Sequence, residues 1–172
     1  MFLKGKNLSL RALEPEDLDI LYKWENDTEL WKYGNSLSPY SKFTLKEYIE
    51  NSGDIFQMRQ VRLMVVDNST EQTIGTADLY DYDPINERAG IGLLLDSNYR
   101  NKGLGVELLG LIEEYAFRFL FLKQLYAQIP IMNKASSKLF SKCGYKQTGL
   151  LENWLKMGDY YEDVLFMQKK AY

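Results

Sequence analysis

Residues 98–117 read NYRNKGLGVELLGLIEEYAF, a basic loop broken by two glycines that runs straight into an amphipathic helix. In Arg100-Asn101-Lys102-Gly103-Leu104-Gly105 the glycines let the backbone come close to a ligand, and the free N–H groups at the helix start point outward. That geometry suits a pyrophosphate. The familiar nucleotide motifs fit poorly, because the third glycine of G-x-G-x-x-G would fall at Leu108 and a Walker loop needs a Lys-Ser/Thr pair that is absent. The same residues also read as an ordinary strand-to-helix turn with a solvated Arg and Lys, and local sequence does not separate the two. Beyond the loop, Leu104, Leu108, Leu111, Ile112, Tyr115 and Phe119 recur at three- and four-residue steps, with Glu107, Glu114 and Arg118 on the other side. This spacing predicts a helix over residues 103–119 with one buried face.

Working outward, three extended runs precede the loop: RLMVVDNST (62–70), TIGTADLYDYD (73–83) and RAGIGLLLD (88–96). Turns at Asn68-Ser69 and Pro84-Ile85-Asn86 separate them, which predicts an antiparallel meander. Upstream, LSLRAL (8–13) alternates as a strand, and Pro15 with acids around it opens a helix. Residues 28–53 form a broken helical region with Pro39 in a turn, Thr44 as cap and Gly53 as stop. Downstream, QLYAQIP (124–130) is a strand ended by Pro130, and residues 133–144 form a helix capped by Asn133 and closed by Gly144. YKQTGLL and, after a polar loop, YEDVLFMQK close the chain as strands. The order β-α-α-β-β-β-α-β-α-β-β mixes a meander with βαβ crossovers in one sheet.

The chain has 172 residues, 45% of them hydrophobic, which predicts a single domain over residues 1–172. A net charge of -3 with no histidine argues against a nucleic-acid partner and leans toward small cationic ones. One cysteine, Cys143, excludes an intramolecular disulfide and fits a reducing cytoplasm. The opening MFLKGKNLSLRALEP is too polar for a signal peptide, and no apolar run approaches the ~20 residues of a membrane span, so a soluble cytoplasmic protein is expected, with no membrane partner. A zinc site and a Ser-His-Asp triad lack their histidines, so no metal is expected. Any general base must then be a carboxylate, a tyrosine or water.

Arg-x-x-Gly-x-Gly after a strand, then Asn133-x-x-Ser136 and Gly144-Tyr145 further on, in this order of elements, closely resembles the GNAT superfamily of N-acetyltransferases over nearly the whole chain. YDYDPINERAGIGLLLDSNYRNKGLGVELL and IPIMNKASSKLFSKCGY are most similar to the bacterial branch with ribosomal-protein N-terminal acetyltransferases and spermidine or diamine acetyltransferases. The resemblance implies a mixed α/β, α+β-like fold: a central sheet of about seven strands splayed into a V-shaped cleft, flanked by about four helices. It implies acetyl-coenzyme A as co-substrate. The backbones of Leu93, Leu94 and Leu95 would pair with the pantetheine, and those of Arg100, Asn101, Lys102, Gly103, Leu104 and Gly105 would hold the pyrophosphate. Asn133 and Ser136 match the second cofactor motif, although Asn133 also reads as a cap alone.

The chemistry implied is direct attack of a neutral amine on the thioester, and here the chain departs from the family twice. A glutamate often precedes the Ile-Gly pair of the strand before the loop, whereas this chain has Gly90, leaving Glu87 as the nearest carboxylate on that run. Many relatives carry a tyrosine seven residues after the motif asparagine as general acid, and this chain has Phe140, so Ser141 or Tyr126 are the candidates to protonate the thiolate. Each of these residues reads equally as packed or solvated. Cys143 has no histidine to activate it and reads as a small core residue.

Acceptor recognition is expected between residues 24 and 48, where Trp24, Trp31, Tyr33, Tyr40, Phe43 and Tyr48 interleave with Glu25, Asp27, Glu29 and Glu47. Trp31, Tyr33, Glu29 and, from the DLYDYD run, Tyr80 are the acceptor candidates; aromatic walls with carboxylates suit an alkylammonium. The aromatics serve equally to pack helices on the sheet. The expected function is acetyl transfer to a polyamine, diamine or other small cationic amine. The alternatives are a protein N-terminal acetyltransferase and a non-catalytic acetyl-coenzyme A-binding module, and a homo-oligomer is left open.

Overall fold

The structure, a computed structural model, describes residues 3–33 and 38–171. Residues 34–37 of the segment 28–53, and the first two and last residues of the chain, lie outside it. The elements run β1 (Leu3–Lys4), β2 (Leu8–Ala12), α1 (Leu18–Glu25), α2 (Thr28–Trp31), α3 (Lys42–Glu50), α4 (Ile55–Met58), β3 (Val61–Asp67), β4 (Thr73–Asp83), β5 (Arg88–Leu95), α5 (Leu104–Glu114), β6 (Gln124–Pro130), α6 (Lys134–Lys142), β7 (Lys146–Met157) and β8 (Tyr160–Lys170). The expected mixed α/β architecture is present, with eight strands where about seven were read and six α-helices among the described residues where about four were read. The extra strand, β1, is two residues long and pairs with β2.

The strands form one sheet in the order β1-β2-β3-β4-β5-β6-β8-β7. From β1 to β5 each pair is antiparallel, and β3, β4 and β5 form the expected meander. β5 and β6 are parallel, joined by the α5 crossover, and they pair only from Arg88↔Gln124 to Gly90↔Tyr126. Beyond that point they splay. β6 stays fully paired on its other side to β8, and β7 lies outside β8.

Leu108, Leu109 and Ile112 of α5 are fully buried against Leu8, Leu10, Ile74 and Leu125 of the sheet. On the opposite face α1 and α3 bury Leu21, Trp24, Leu45 and Ile49 around Met64. Each such side chain contributes roughly 1.5–3 kcal/mol by leaving water.

Four local readings need correction. Helix α3 is capped by Ser41, whose hydroxyl accepts from the Thr44 N–H at 3.0 Å, so Thr44 is the capped residue. Phe119 is 53% exposed, because residues 115–119 form a π-helical turn that rotates the apolar stripe off its α-helical register. Glu107 is not on a solvated face: its carboxylate accepts from the N–H groups of Asn7 and Leu8 at 2.7 and 3.1 Å and fastens α5 to the β1–β2 turn. The polar loop after Leu151 is mostly strand, since a bulge with Asn153 at φ 48° lets β7 continue to Met157.

Gly90, where the resemblance implies a glutamate, has a packing cause. Tyr80 lies opposite it in register, and a Cβ built on Gly90 would sit 2.2 Å from Tyr80 Cε2. The ring occupies the space a side chain would need. Gly90→Ala is therefore expected to destabilise the fold by roughly 1–3 kcal/mol, lowering Tm by about 2–12 °C in a thermal melt. Combining it with Tyr80→Ala should cost less than the sum of the two single changes.

Candidate active site

The splay leaves β5 with an unpaired edge from Ile91 onward on the β6 side, while its other edge still pairs with β4 through Gly75↔Leu95. Leu93, Leu94 and Leu95 line a cavity of about 540 Å³ on that edge, together with Arg100, Gly105, Asn133, Ser136 and Phe140. The near-continuous apolar run of β5 makes sense for a strand covered on both faces and pairing through backbone alone.

The loop feeding α5 is held at both ends. Asp96 starts it: one carboxylate oxygen accepts from the Asn98 N–H, and the other from the Trp24 indole and Lys23 Nζ, each at 3.1 Å. Burial pushes the Asp96 carboxyl up, but the hydrogen bonds from Trp24, Asn98 and Lys23 hold it below the usual carboxylate range. Arg100 turns back to donate to the Leu95 carbonyl at 2.8 Å. Asn101 and Gly103 take left-handed backbone at φ 59° and 76°, and no side chain caps the first turn of α5. The first amides of that helix, beginning at Leu104, therefore lack both an intrahelical partner and a side-chain cap.

The two loop glycines differ in purpose. Around Gly103 a Cβ would meet nothing within 4 Å, so its requirement is the positive φ. At Gly105 a Cβ would come within 3.0 Å of Leu139 Cδ2, so Gly105 admits α6 against α5. Asn133 caps α6 through its side-chain oxygen and the Ser136 N–H at 3.1 Å, and both residues face the cavity.

A second cavity, of about 670 Å³, opens beside the first and shares Tyr33, Arg62, Asp78 and Gly92 with it. Its walls include Tyr40, Tyr48, Tyr80, Asp81, Gln128 and Trp154. Of the acceptor candidates, Trp31 lines the first cavity, Tyr80 the second and Tyr33 both. Glu29 lines neither; it is exposed and ion-paired to Lys32 at 2.6 Å.

The catalytic candidates read from sequence are not brought to these cavities. Glu87 is exposed in the β4–β5 turn at φ 51°, and its carbonyl accepts from the Lys123 N–H at 2.7 Å. Eight residues along an extended strand, ~26 Å, separate it from Leu95. Ser141 is exposed on the outer side of α6. Tyr126 stacks on Phe166 at 5.1 Å and meets Tyr80 edge-on, outside both cavities. Burial, with Asp81 adding, pushes its phenol up to about 12, a poor match for a departing thiolate. Phe140 is buried edge-on against Tyr145. Cys143 is half-buried, lines neither cavity, and its thiol is pushed up by burial and then by Glu113.

What the sequence reading missed is the charged group at the junction. Arg62 of β3 sits directly opposite Asp78 of β4 and donates to it twice, at 2.9 and 3.0 Å, and once to Glu25 of α1 at 2.6 Å. The opposite charges of Arg62 and Asp78 in neighbouring strands of the meander were the available signal.

The family described as acetyltransferase (GNAT) domain matches residues 7–146. The uncharacterized N-acetyltransferase p20 of Bacillus licheniformis is 30% identical over 90% of this chain and 87% of its own. Spermidine N(1)-acetyltransferase of Vibrio cholerae is 26% identical over 93% and 91%. A crystal structure of spermidine N-acetyltransferase from Vibrio cholerae in complex with CoA and spermine superposes with a TM-score of 0.89 at 25% identity, covering 97% of each chain.

The Asp96 anchor generates a prediction. Asp96→Ala should cost roughly 1–3 kcal/mol by leaving the Trp24 indole without its acceptor. Hydrogen exchange at the amides of Asn98 and Tyr99 should speed up more than at the core amides of α5. Asp96→Asn should keep the Asn98 amide protected, because its side-chain oxygen still accepts there.

Proposed function

The chain belongs to the GNAT acetyltransferases and is an N-acetyltransferase, and on that premise we propose that it moves an acetyl group from acetyl-coenzyme A directly to the primary amine of a small cationic acceptor, a polyamine or diamine. The observation that carries this reading is the meeting of two cavities of opposite character at Tyr33, Arg62, Asp78 and Gly92.

The first cavity suits the co-substrate. An extended amide chain along the open edge of β5 would satisfy backbone groups of Leu93, Leu94 and Leu95 that β6 leaves unpaired. The uncapped α5 terminus, with Arg100 and Lys102 beside it, suits a pyrophosphate. Asn133 and Ser136 stand across the cleft.

The second cavity suits an alkylammonium. Tyrosine and tryptophan rings form its walls and Asp78 and Asp81 supply negative charge, with Arg62 already engaged by carboxylates. An amine with a pKa near ~10 is mostly protonated at pH 7, so one proton must leave before attack. In this reading the amine nitrogen then bonds to the acetyl carbon, the carbon–sulfur bond breaks, and the thiolate leaves. A thiol with pKa near ~8.5 is a fair leaving group, so the reaction tolerates Phe140 with water as the proton source. An acyl-cysteine route is disfavoured by the position and raised pKa of Cys143.

A thiol-release assay over polyamines, diamines, aminoglycosides and ribosomal N-terminal peptides tests the proposal. Turnover with a polyamine or diamine is expected; acetylation of the peptides alone would replace it with the protein N-terminal reading. At subsaturating amine the rate should rise by about tenfold per unit from pH 7 to 9 as neutral amine appears, and fall as added salt screens the acceptor cavity.

Gly103→Asp tests the cofactor half. It places a negative charge at the α5 terminus, where a Cβ meets nothing within 4 Å and the left-handed backbone costs an aspartate roughly 1–2 kcal/mol, so the fold should survive. Affinity for coenzyme A measured by calorimetry should fall on the order of 10²-fold. Unchanged affinity in the folded variant would remove the loop from the site.

A further inference from the structure

The family carboxylate expected on β5 is replaced by Gly90, and Glu87 lies outside the cavities, which leaves open what meets the reacting amine. Three carboxylates border the reaction space among the described residues: Glu25 lines the first cavity alone, Asp81 the second alone, and Asp78 both. Position along the sheet gives the same answer. Asp78 pairs in register with Gly92, two residues past the last β5–β6 pair, where the splay has opened.

The surroundings keep Asp78 available to a ligand. Gly92 carries no side chain, and a Cβ built there would lie 3.8 Å from the Asp78 Cβ, so the space in front of the carboxylate is kept clear by the glycine. Arg62 donates one hydrogen bond to each Asp78 oxygen, occupying two of roughly four acceptor positions. The side chain retains 25% of its exposure, and its orientation is fixed by the two-pronged contact. With Glu25 on the third Arg62 contact, the three charges sum to minus one, so the junction attracts a cation although it contains a guanidinium.

We propose that Asp78 is the catalytic carboxylate that receives the ammonium end of the acceptor at the passage between the two cavities, with Arg62 as the positioning residue that aims it; this rests on the acetyl-transfer reading above. The acceptor R–NH₃⁺ donates to a free lone pair of Asp78, and one proton passes by way of that carboxylate to water in the open acceptor cavity. The nitrogen lone pair forms the N–C bond, the C–S bond breaks with its electron pair on sulfur, and the second nitrogen proton balances the thiolate. The net change is one proton released per acetyl transferred. The carboxylate thereby moves from β5 to β4, one strand over on the same side of the sheet, because Tyr80 has taken the space above Gly90.

The experiment uses the full chain with 1,4-diaminobutane as probe. Asp78→Asn should lower kcat/KM for the diamine on the order of 10²-fold while the Kd for acetyl-coenzyme A stays within about twofold. Calorimetry on the coenzyme A-loaded protein should show diamine binding weakened at least about tenfold. Gly92→Leu, which fills the space in front of the Asp78 carboxylate, should lose diamine turnover. Arg62→Lys should raise KM and lower kcat together, because a single ammonium cannot make the two-pronged contact. A folded Asp78→Asn enzyme that acetylates the diamine within about threefold of the wild type overturns the assignment and leaves the acetyl-transfer reading standing. A wild-type chain that neither binds nor acetylates the diamine overturns both.

Discussion

Parallel pairing between β5 and β6 lasts three residues, and the site follows from where it stops. Backbone N–H and C=O groups left without partners at a sheet edge are costly unless something supplies their hydrogen bonds. Both strands stay paired on their outer sides, β5 with β4 through Leu95 and β6 with β8 through Pro130, so it is their inner edges that open. From Ile91 the inner edge of β5 faces a cavity instead of a strand. The N-termini of α5 and α6 converge on the same space, one without a side-chain cap and one capped by a residue that also faces the cavity. An extended ligand with amides at one end and anionic charge at the other answers both demands at once, which is why the co-substrate reading needs no dedicated binding domain.

Glycines along β5 then divide the labour at the mouth of the splay. Gly90 and Gly92 present the same face of the strand, opposite Tyr80 and Asp78 in register. At Gly90 the missing side chain makes room for the Tyr80 ring, which lines the second cavity; at Gly92 it leaves an opening. Alternation along one strand thus sets wall and passage two residues apart, and the carboxylate exposed through the passage has to come from the neighbouring strand.

Elements whose signal is local were legible in the sequence. The α5 loop, the meander and the Asn133 cap follow from glycine positions, period-two alternation and capping chemistry, each acting over a few residues. The misses share a different cause. Phe119 fits the helical stripe until a π turn shifts the register, and nothing in the 3.6-residue spacing announces that turn. Glu107 reads as solvated until the β1–β2 turn, a hundred residues earlier in the chain, arrives as its donor. Glu87 was the nearest carboxylate along β5, whereas the cavities are lined across strands, so proximity in sequence pointed to a residue that lies in the β4–β5 turn outside both. Arg62 was passed over for a related reason: its meaning lies in contacts to α1 and β4, not in its own strand.

The junction illustrates why a paired carboxylate can serve a cationic acceptor better than a lone one. A single aspartate turned into a half-buried passage pays desolvation with nothing to offset it, and an Asp-Arg pair alone would be neutral and indifferent to an ammonium. Burial works against the Arg62 charge as well, yet Asp78 beside it more than compensates and holds the guanidinium protonated above its ordinary range. Glu25 then restores one net negative charge while every charged group keeps a hydrogen-bonded partner. On this arithmetic a preference for cations would depend on Glu25 of α1 as much as on Asp78: the sheet supplies an aimed but neutral pair, and the helix laid over it supplies the charge. The same α1 helix carries Trp24 and Lys23 to Asp96 at the start of the co-substrate loop. One helix therefore sets the net charge at the junction of the cavities and anchors the loop of the first, so a displacement of α1 would be felt at both places together.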